Sequence, residues 1–248
     1  TSGFGAIDNG ASAITTTGAG SFGSLVVTGS STFDDIKLTT VALPAAGNPS
    51  IALRNTNNVI YHQAGSANNI VFLDSSQNTM YNMSSTSHIF NISNSEKMKI
   101  DSTGAITMPS QPAFLAQPSS IQSNILTSQS VTLTFATERF DQNSDYNTST
   151  SVFTAPVAGK YHLEACIRAQ AVDTGAEYYN FEIVTTNRGY QNIIDPNFSA
   201  DALYWTIVIT ALADMDAGDT AYVRVRQQSG TQQTDFETPG HFSGFLAC

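Results

Sequence analysis

Several stretches of this 248-residue sequence hold residue types whose spacing could do chemistry. "GAGSFG", Gly18 to Gly23, has the glycine spacing of a loop that cradles a dinucleotide pyrophosphate on free backbone N–H groups. Such a loop must follow a buried strand and open a helix. Here "ASAITTT" precedes it and the strand-like "SLVVTG" follows, so no nucleotide is expected. "DMDAGD", Asp214 to Asp219, alternates carboxylates before a glycine as a calcium loop does, but the twelfth position, where a bidentate Glu belongs, is Val225. A polar hairpin turn is expected there instead. Glu138, Asp141 and Asp145 cluster near one loop, and paired carboxylates can hydrolyse a glycosidic bond. Such hydrolysis also wants a large concave surface, which nothing in the strand pattern supplies, so the expectation is of a protein that is not an enzyme. His62, His88, His162 and His241 show no metal-ligand spacing, and neither GxSxG nor CxxC occurs. Cys166 reads as a small buried thiol in a strand and Cys248 as an incidental terminal one, although the two could pair. No cofactor and no metal are expected.

Binding is the better-supported chemistry. Sugars stack an apolar face on an aromatic ring while their hydroxyls meet Asn, Gln and Asp. "NRGYQNIIDPNFSADALYW" holds Tyr190, Asn192, Asp195, Asn197 and Phe198 in such a mixture, read as a loop and as the candidate receptor-binding residues. The competing reading is a long crossover whose aromatics cap a sandwich. Trp205 shares its parity with Ile207 and Ile209 and is assigned to the core.

What must position these residues is a β-protein. Only 12% of residues are charged, and Ser, Thr, Asn and Gly fill the positions that Lys and Glu would occupy on helices. The net charge of -10, with 10 Lys plus Arg scattered along the chain, excludes the basic stripe of a nucleic-acid binder. No signal peptide is visible and no apolar run approaches the ~20 residues of a membrane span, so membrane insertion is not expected. The chain begins at Thr1 rather than Met, which leaves room for residues ahead of it.

Residues 1–40 are low in complexity and repeat at an interval of eleven: Phe22 and Leu25 recur as Phe33 and Ile36. This segment reads as fibre, with those four side chains inward on an axis shared by several copies, a trimer axis by the resemblances below. Residues 41–108 carry very short alternating runs such as "NIVFL", "HIFNI" and "KMKID" between turn clusters, a β-rich shaft. Alternation leaves each strand a thin apolar edge, and winding several copies about one axis would join those edges into a core. Pro109, Pro112 and Pro118 mark residues 109–118 as a neck. Residues 119–248 hold longer, aromatic-rich strands and read as an antiparallel sandwich or jelly roll. The fold class is therefore all-β, a repetitive β shaft of several copies followed by a jelly-roll head; that the shaft is trimeric is what the resemblances below imply.

"SDYNTSTSVFTAPVAGKYHL" resembles the signature of the globular head of complement first component q, a jelly roll related to tumour necrosis factor. The matching positions are Tyr146, Asn147, Thr150, Phe153, Pro156, Gly159 and Tyr161, followed by Gly218-Asp219 and by Phe242, Gly244 and Phe245 in "FSGFLA". Val152 and Ala155 depart from it, standing where the family usually has Gly and often has Cys. The resemblance implies a trimeric head packed by aromatics of one sheet; some such heads carry calcium near the apex. "HIFNISNSEKMKIDSTGAITM" and "SFGSLVVTGSSTF" are similar to segments of bacteriophage tail fibres. Together these resemblances imply a homotrimeric virion fibre, held by other virion proteins at its N-terminal end, whose head attaches to a host surface glycan or protein. The alternatives are a structural fibre or decoration whose head is a trimerisation clamp and, further off, a polysaccharide depolymerase.

Overall fold

A computed structural model describes the backbone at residues 50–51, 59–63, 69–74, 76 and 78–248, and side chains from residue 69 onward except 75 and 77. Phe22, Leu25, Phe33 and Ile36 lie outside the described residues.

The first described region is one antiparallel seven-stranded meander in chain order. Its strands are β1 (Ser50–Ile51), β2 (Val59–Gln63), β3 (Asn69–Leu73), β4 (Thr79–Met83), β5 (Ser87–Ile92), β6 (Ser95–Asp101) and β7 (Ile106–Thr107). Its turns follow from their residues. Ser93 and Asn94 both take positive φ, 50° and 59°, the two-residue hairpin turn whose twist matches the flanking strands. Asp101 Oδ1 accepts the N–H groups of Thr103 (2.8 Å) and Ala105 (3.1 Å), with Gly104 at φ 86° completing the β6–β7 turn. Register places Ile70, Phe72, Tyr81, Met83, His88, Phe90, Met98, Ile100 and Ile106 on one face, and Val71, Asn82, Ile89, Lys99 and Thr107 on the other.

The head is a sandwich of two six-stranded antiparallel sheets. One runs β10 (Thr137–Asp141), β8 (Ala113–Gln117), β19 (His241–Leu246), β13 (Gly159–Val172), β16 (Ala202–Met215), with β18 (Asp235–Phe236) also on β13. The other runs β11 (Tyr146–Asn147), β12 (Val152–Thr154), β17 (Thr220–Gln228), β14 (Tyr178–Thr185), β15 (Gly189–Ile194), with β9 (Ser130–Thr132) also on β17. Neighbours distant in sequence, such as β8 with β19, are what a jelly roll requires.

Alternation in each strand builds the core. Tyr161, Leu163, Ala165 and Ile167 of β13 meet Tyr179, Phe181 and Ile183 of β14 and Val223 and Val225 of β17, all buried. Phe114 stacks on Tyr146 (4.9 Å between centroids) and Phe153 (4.7 Å) and meets Phe242 edge-on (5.1 Å). Two glycines are dictated by close approach. A Cβ on Gly244 would lie 2.7 Å from Leu163 Cδ2 and 2.9 Å from Phe114, and one on Gly159 would lie 2.5 Å from Leu246 and 2.8 Å from the Cys248 carbonyl.

Three expectations change. The segment 109–118 is not all neck: Ala113–Gln117 forms β8, paired on both sides, because Pro112 and Pro118 flank this strand rather than interrupt it. The stretch from Arg188 is not one loop: Gly189–Ile194 pairs along β14 as β15. Cys166 points away from the core, opposite Val208 and His241, half-buried because neighbouring outward side chains shade it. Burial, with the Glu164 charge second, pushes its thiol pKa up, and both cysteines are unpaired.

Candidate functional site

The five expected receptor residues do not converge on one surface. On β15, Tyr190 lies opposite Ile183, Asn192 opposite Phe181 and Ile194 opposite Tyr179, so this parity faces the sandwich interior. Tyr190 packs partly buried on the core, and burial raises its phenol pKa. Phe198 stacks on Trp205 at 5.0 Å, closing the sandwich edge. Asp195 and Asn197 stay exposed. The exposed parity of β15 belongs to Gln191 and Ile193, which the mixture of residue types did not single out.

The acidic loop is structural in its geometry. Asp141 accepts the N–H of Asp145 (3.1 Å) and of Tyr146 (2.8 Å), tying both its oxygens to the turn that starts β11. Asp145 titrates above the ordinary carboxylate range through burial and then the Asp141 charge, against a hydrogen bond from Asn143. Glu138 sits on β10, opposite Ala116. "DMDAGD" is a polar turn but not the expected hairpin, since it carries the chain from β16 in one sheet to β17 in the other: Gly218 takes φ 92°, and Asp219 Oδ2 accepts the Asp216 N–H (2.8 Å) and Asn187 Nδ2 (3.0 Å). Asp214 accepts Arg188 Nη2 at 3.0 Å. No metal-holding group of His, Cys, Asp and Glu occurs among the described residues.

Of the histidines, His88 Nδ1 lies 2.7 Å from Tyr81 Oη, His162 packs on Phe245 and His241 Nε2 lies 3.0 Å from Glu164. No side chain of His62 is described.

The resemblance residues hold the head together. Tyr146 Oη donates to the Phe135 carbonyl (2.9 Å), Tyr161 Oη to the Val157 carbonyl (2.8 Å), and Gly218 N–H to the Ala155 carbonyl (2.8 Å) beside exposed Pro156. Burial pushes the Tyr146 phenol up to about 12. Phe153 and Phe242 are core, whereas Phe245 faces outward.

The two outer faces of the sandwich differ. On the β17–β14–β15 face stand Tyr222, Arg224, Arg226, Gln228, Asn180 and Gln191, with Glu182 almost buried beneath its ion pair to Arg224 Nε (2.6 Å). On the β10–β8–β19–β13–β16 face, register makes one row of Leu212, His162, Phe245 and Ala113, a second of Thr210, Glu164, Ser243, Leu115 and Phe140, and a third holding Val208, Cys166 and His241, the last paired with Glu164. Leu212 is 63% exposed and Phe245 48%, a run of apolar surface that water alone covers at a cost. The signal was in "LYWTIVITALADM": the outward parity of β16 sets Tyr204, Val208 and Leu212 among Thr206, Thr210 and Asp214, more apolar than a strand whose outer side meets only water.

The C1q domain family model matches residues 113–247. Among solved structures, the globular domain of a zebrafish complement 1qA protein is similar at 18% identity and TM-score 0.41, over 56% of this chain and 98% of that one. A crystal structure of murine APRIL is similar at 12% identity and TM-score 0.40, over 55% and 98%. The comparison with curated proteins returned no match.

Proposed function

Because the chain belongs to the C1q domain family, we propose that three copies associate through their heads into a virion fibre that attaches a bacteriophage to its host. Domains of this type typically form homotrimers. The observation that carries the trimer is the outer face of β10–β8–β19–β13–β16: around the Glu164–His241 pair, the exposed Val208, Leu212, Phe245 and Phe140 gain by leaving water when another copy covers them. The fibre reading draws on the resemblance of His88–Met108 to tail-fibre segments, and the attachment reading on the opposite outer face, where Arg224, Arg226, Tyr222, Asn180 and Gln228 offer donors and rings suited to a glycan. Three weak sites on one fibre add avidity.

One observation favours the clamp reading: Tyr190 and Phe198 pack inward, so the aromatic platform expected near Asp195 does not face solvent. The full chain separates the two. Sedimentation at micromolar concentration should give a trimer, and Leu212→Asp should shift it to monomer. Binding of fluorescent trimer to a panel of bacterial hosts then decides between attachment and clamp. Arg226→Glu should abolish binding where it occurs, and trimers that bind no host favour the clamp.

A further inference from the structure

The meander carries an apolar face with no second layer among the described residues. Nine side chains share it, from Ile70 and Phe72 across Tyr81, Met83, His88 and Phe90 to Met98, Ile100 and Ile106, and none is an acid, a Lys or an Arg. Along its middle the rings of Phe72, Tyr81 and Phe90 follow one another at 5.7 and 4.6 Å. Phe90 remains 42% exposed and Ile106 57%. The reverse face carries Lys99, Asn82 and Thr107, and its Val71 is buried at 2%. A sheet that leaves such a face half open to water gains stability when that face is covered.

We infer that this face is an interface between copies of the chain, with the same face of neighbouring meanders packed against it around the axis of the head trimer. The inference rests on the trimer reading and extends it to residues that the C1q domain, matched at 113–247, does not include. Three features select a second copy as the occupant. The apolar surface is continuous with the head's: an open groove of about 580 Å³ is lined by Ile106 and Met108 of the meander end and by Pro112 and Phe245 of the head. Only residues 108–112 separate β7 from β8, a reach of at most ~18 Å, so a head trimer holds three meanders at millimolar effective concentration. Finally, copies that each carry a net charge of -10 repel one another, and contact costs least across a surface with no formal charge of its own.

Met98 and Lys99 are neighbours in sequence on opposite faces of β6, which makes the test internal. The full chain with Cys166→Ser and Cys248→Ser carries either Met98→Cys or Lys99→Cys and is treated with a short bismaleimide. Sedimentation of the same samples reports assembly, and far-UV circular dichroism confirms the fold. Trimers in which Met98→Cys yields covalent dimers and trimers several-fold above Lys99→Cys support the interface. Trimers in which the two positions link equally, or Lys99→Cys links better, overturn it while leaving the head trimer standing. Monomers overturn the association reading beneath both. As a second measurement, Phe90→Asp should speed amide exchange in β4–β6 at least tenfold in a trimer whose β13 and β17 keep their protection. Unchanged exchange in β4–β6 would also overturn the interface.

Discussion

The meander and the head are built by the same local rules and differ in what lies over their apolar faces. Both alternate apolar and polar residues, and both turn on Asn, Asp, Ser and Gly. In the head, Phe114, Phe153 and Phe242 vanish between two sheets, while in the meander Phe72 and Tyr81 of a comparable aromatic row are half-buried and Phe90 is exposed. Burying such a side chain contributes ~1.5–3 kcal/mol, so the head gains the whole of it from each ring and the meander only part, Phe90 keeping 42% of its surface exposed. The difference shows that alternation makes a face, and a second layer makes a core.

Substitutions can sharpen or break that comparison. Phe242→Ala should cost the head ~3–5 kcal/mol, the loss of a ring enclosed by Phe114 and Phe135, read from denaturant unfolding followed by near-UV circular dichroism. Phe90→Ala should leave that head transition in place; equal effects would mean the two regions are not energetically distinct. Next comes Asp173→Ala. This buried carboxylate accepts the Gly175 N–H (2.6 Å), the Thr231 N–H and Gln227 Nε2 (3.4 Å), and its removal strands buried donors at ~1–3 kcal/mol, visible as a lowered head midpoint.

Tyr146→Phe should cost about 1 kcal/mol at neutral pH through its lost bond to Phe135. It should also change the alkaline limit. Burial raises the Tyr146 pKa from 10.0 to about 12 in the folded head, so its stabilisation is full below pH 10 and is lost as pH rises from 10 through 12. Burial shifts Tyr161 and Tyr179 in the same direction. Midpoints measured from pH 8 to 11.5 should fall less steeply in Tyr146→Phe than in the parent. Smallest is Arg188→Ala, whose exposed ion pair with Asp214 is worth less than ~1 kcal/mol and should vanish into the error of the same measurement.

Much of the head was legible because its signature residues are the ones that packing and backbone geometry demand. Gly159 and Gly244 leave no room for a Cβ, Gly218 takes positive φ, and Tyr146, Phe153, Tyr161 and Phe242 fill the core. The candidate site was read less well. Tyr190, Asn192 and Phe198 belong by type to a sugar site, but residue type says nothing of which side of a strand a side chain takes until the strand is recognised. "GYQNII" alternates too weakly to announce β15; its pairing with β14 settles the parity. Pro112 and Pro118 misled in a similar way, since proline ends strands as readily as it marks linkers.

Composition, alternation and turn residues thus determined, without coordinates, an all-β chain with two different halves and an antiparallel sandwich or jelly roll at its end. They act through the nearest few residues, where backbone sterics and side-chain parity leave little choice. Tertiary structure alone decided that Cys166 faces outward, that Tyr190 and Phe198 turn inward, and that one outer face of the head gathers Leu212, Phe245 and Phe140 while the other bears Arg224 and Arg226. Those outcomes depend on which strands pair and in what register, a free-energy balance struck between segments more than a hundred residues apart, as β8 and β19 are.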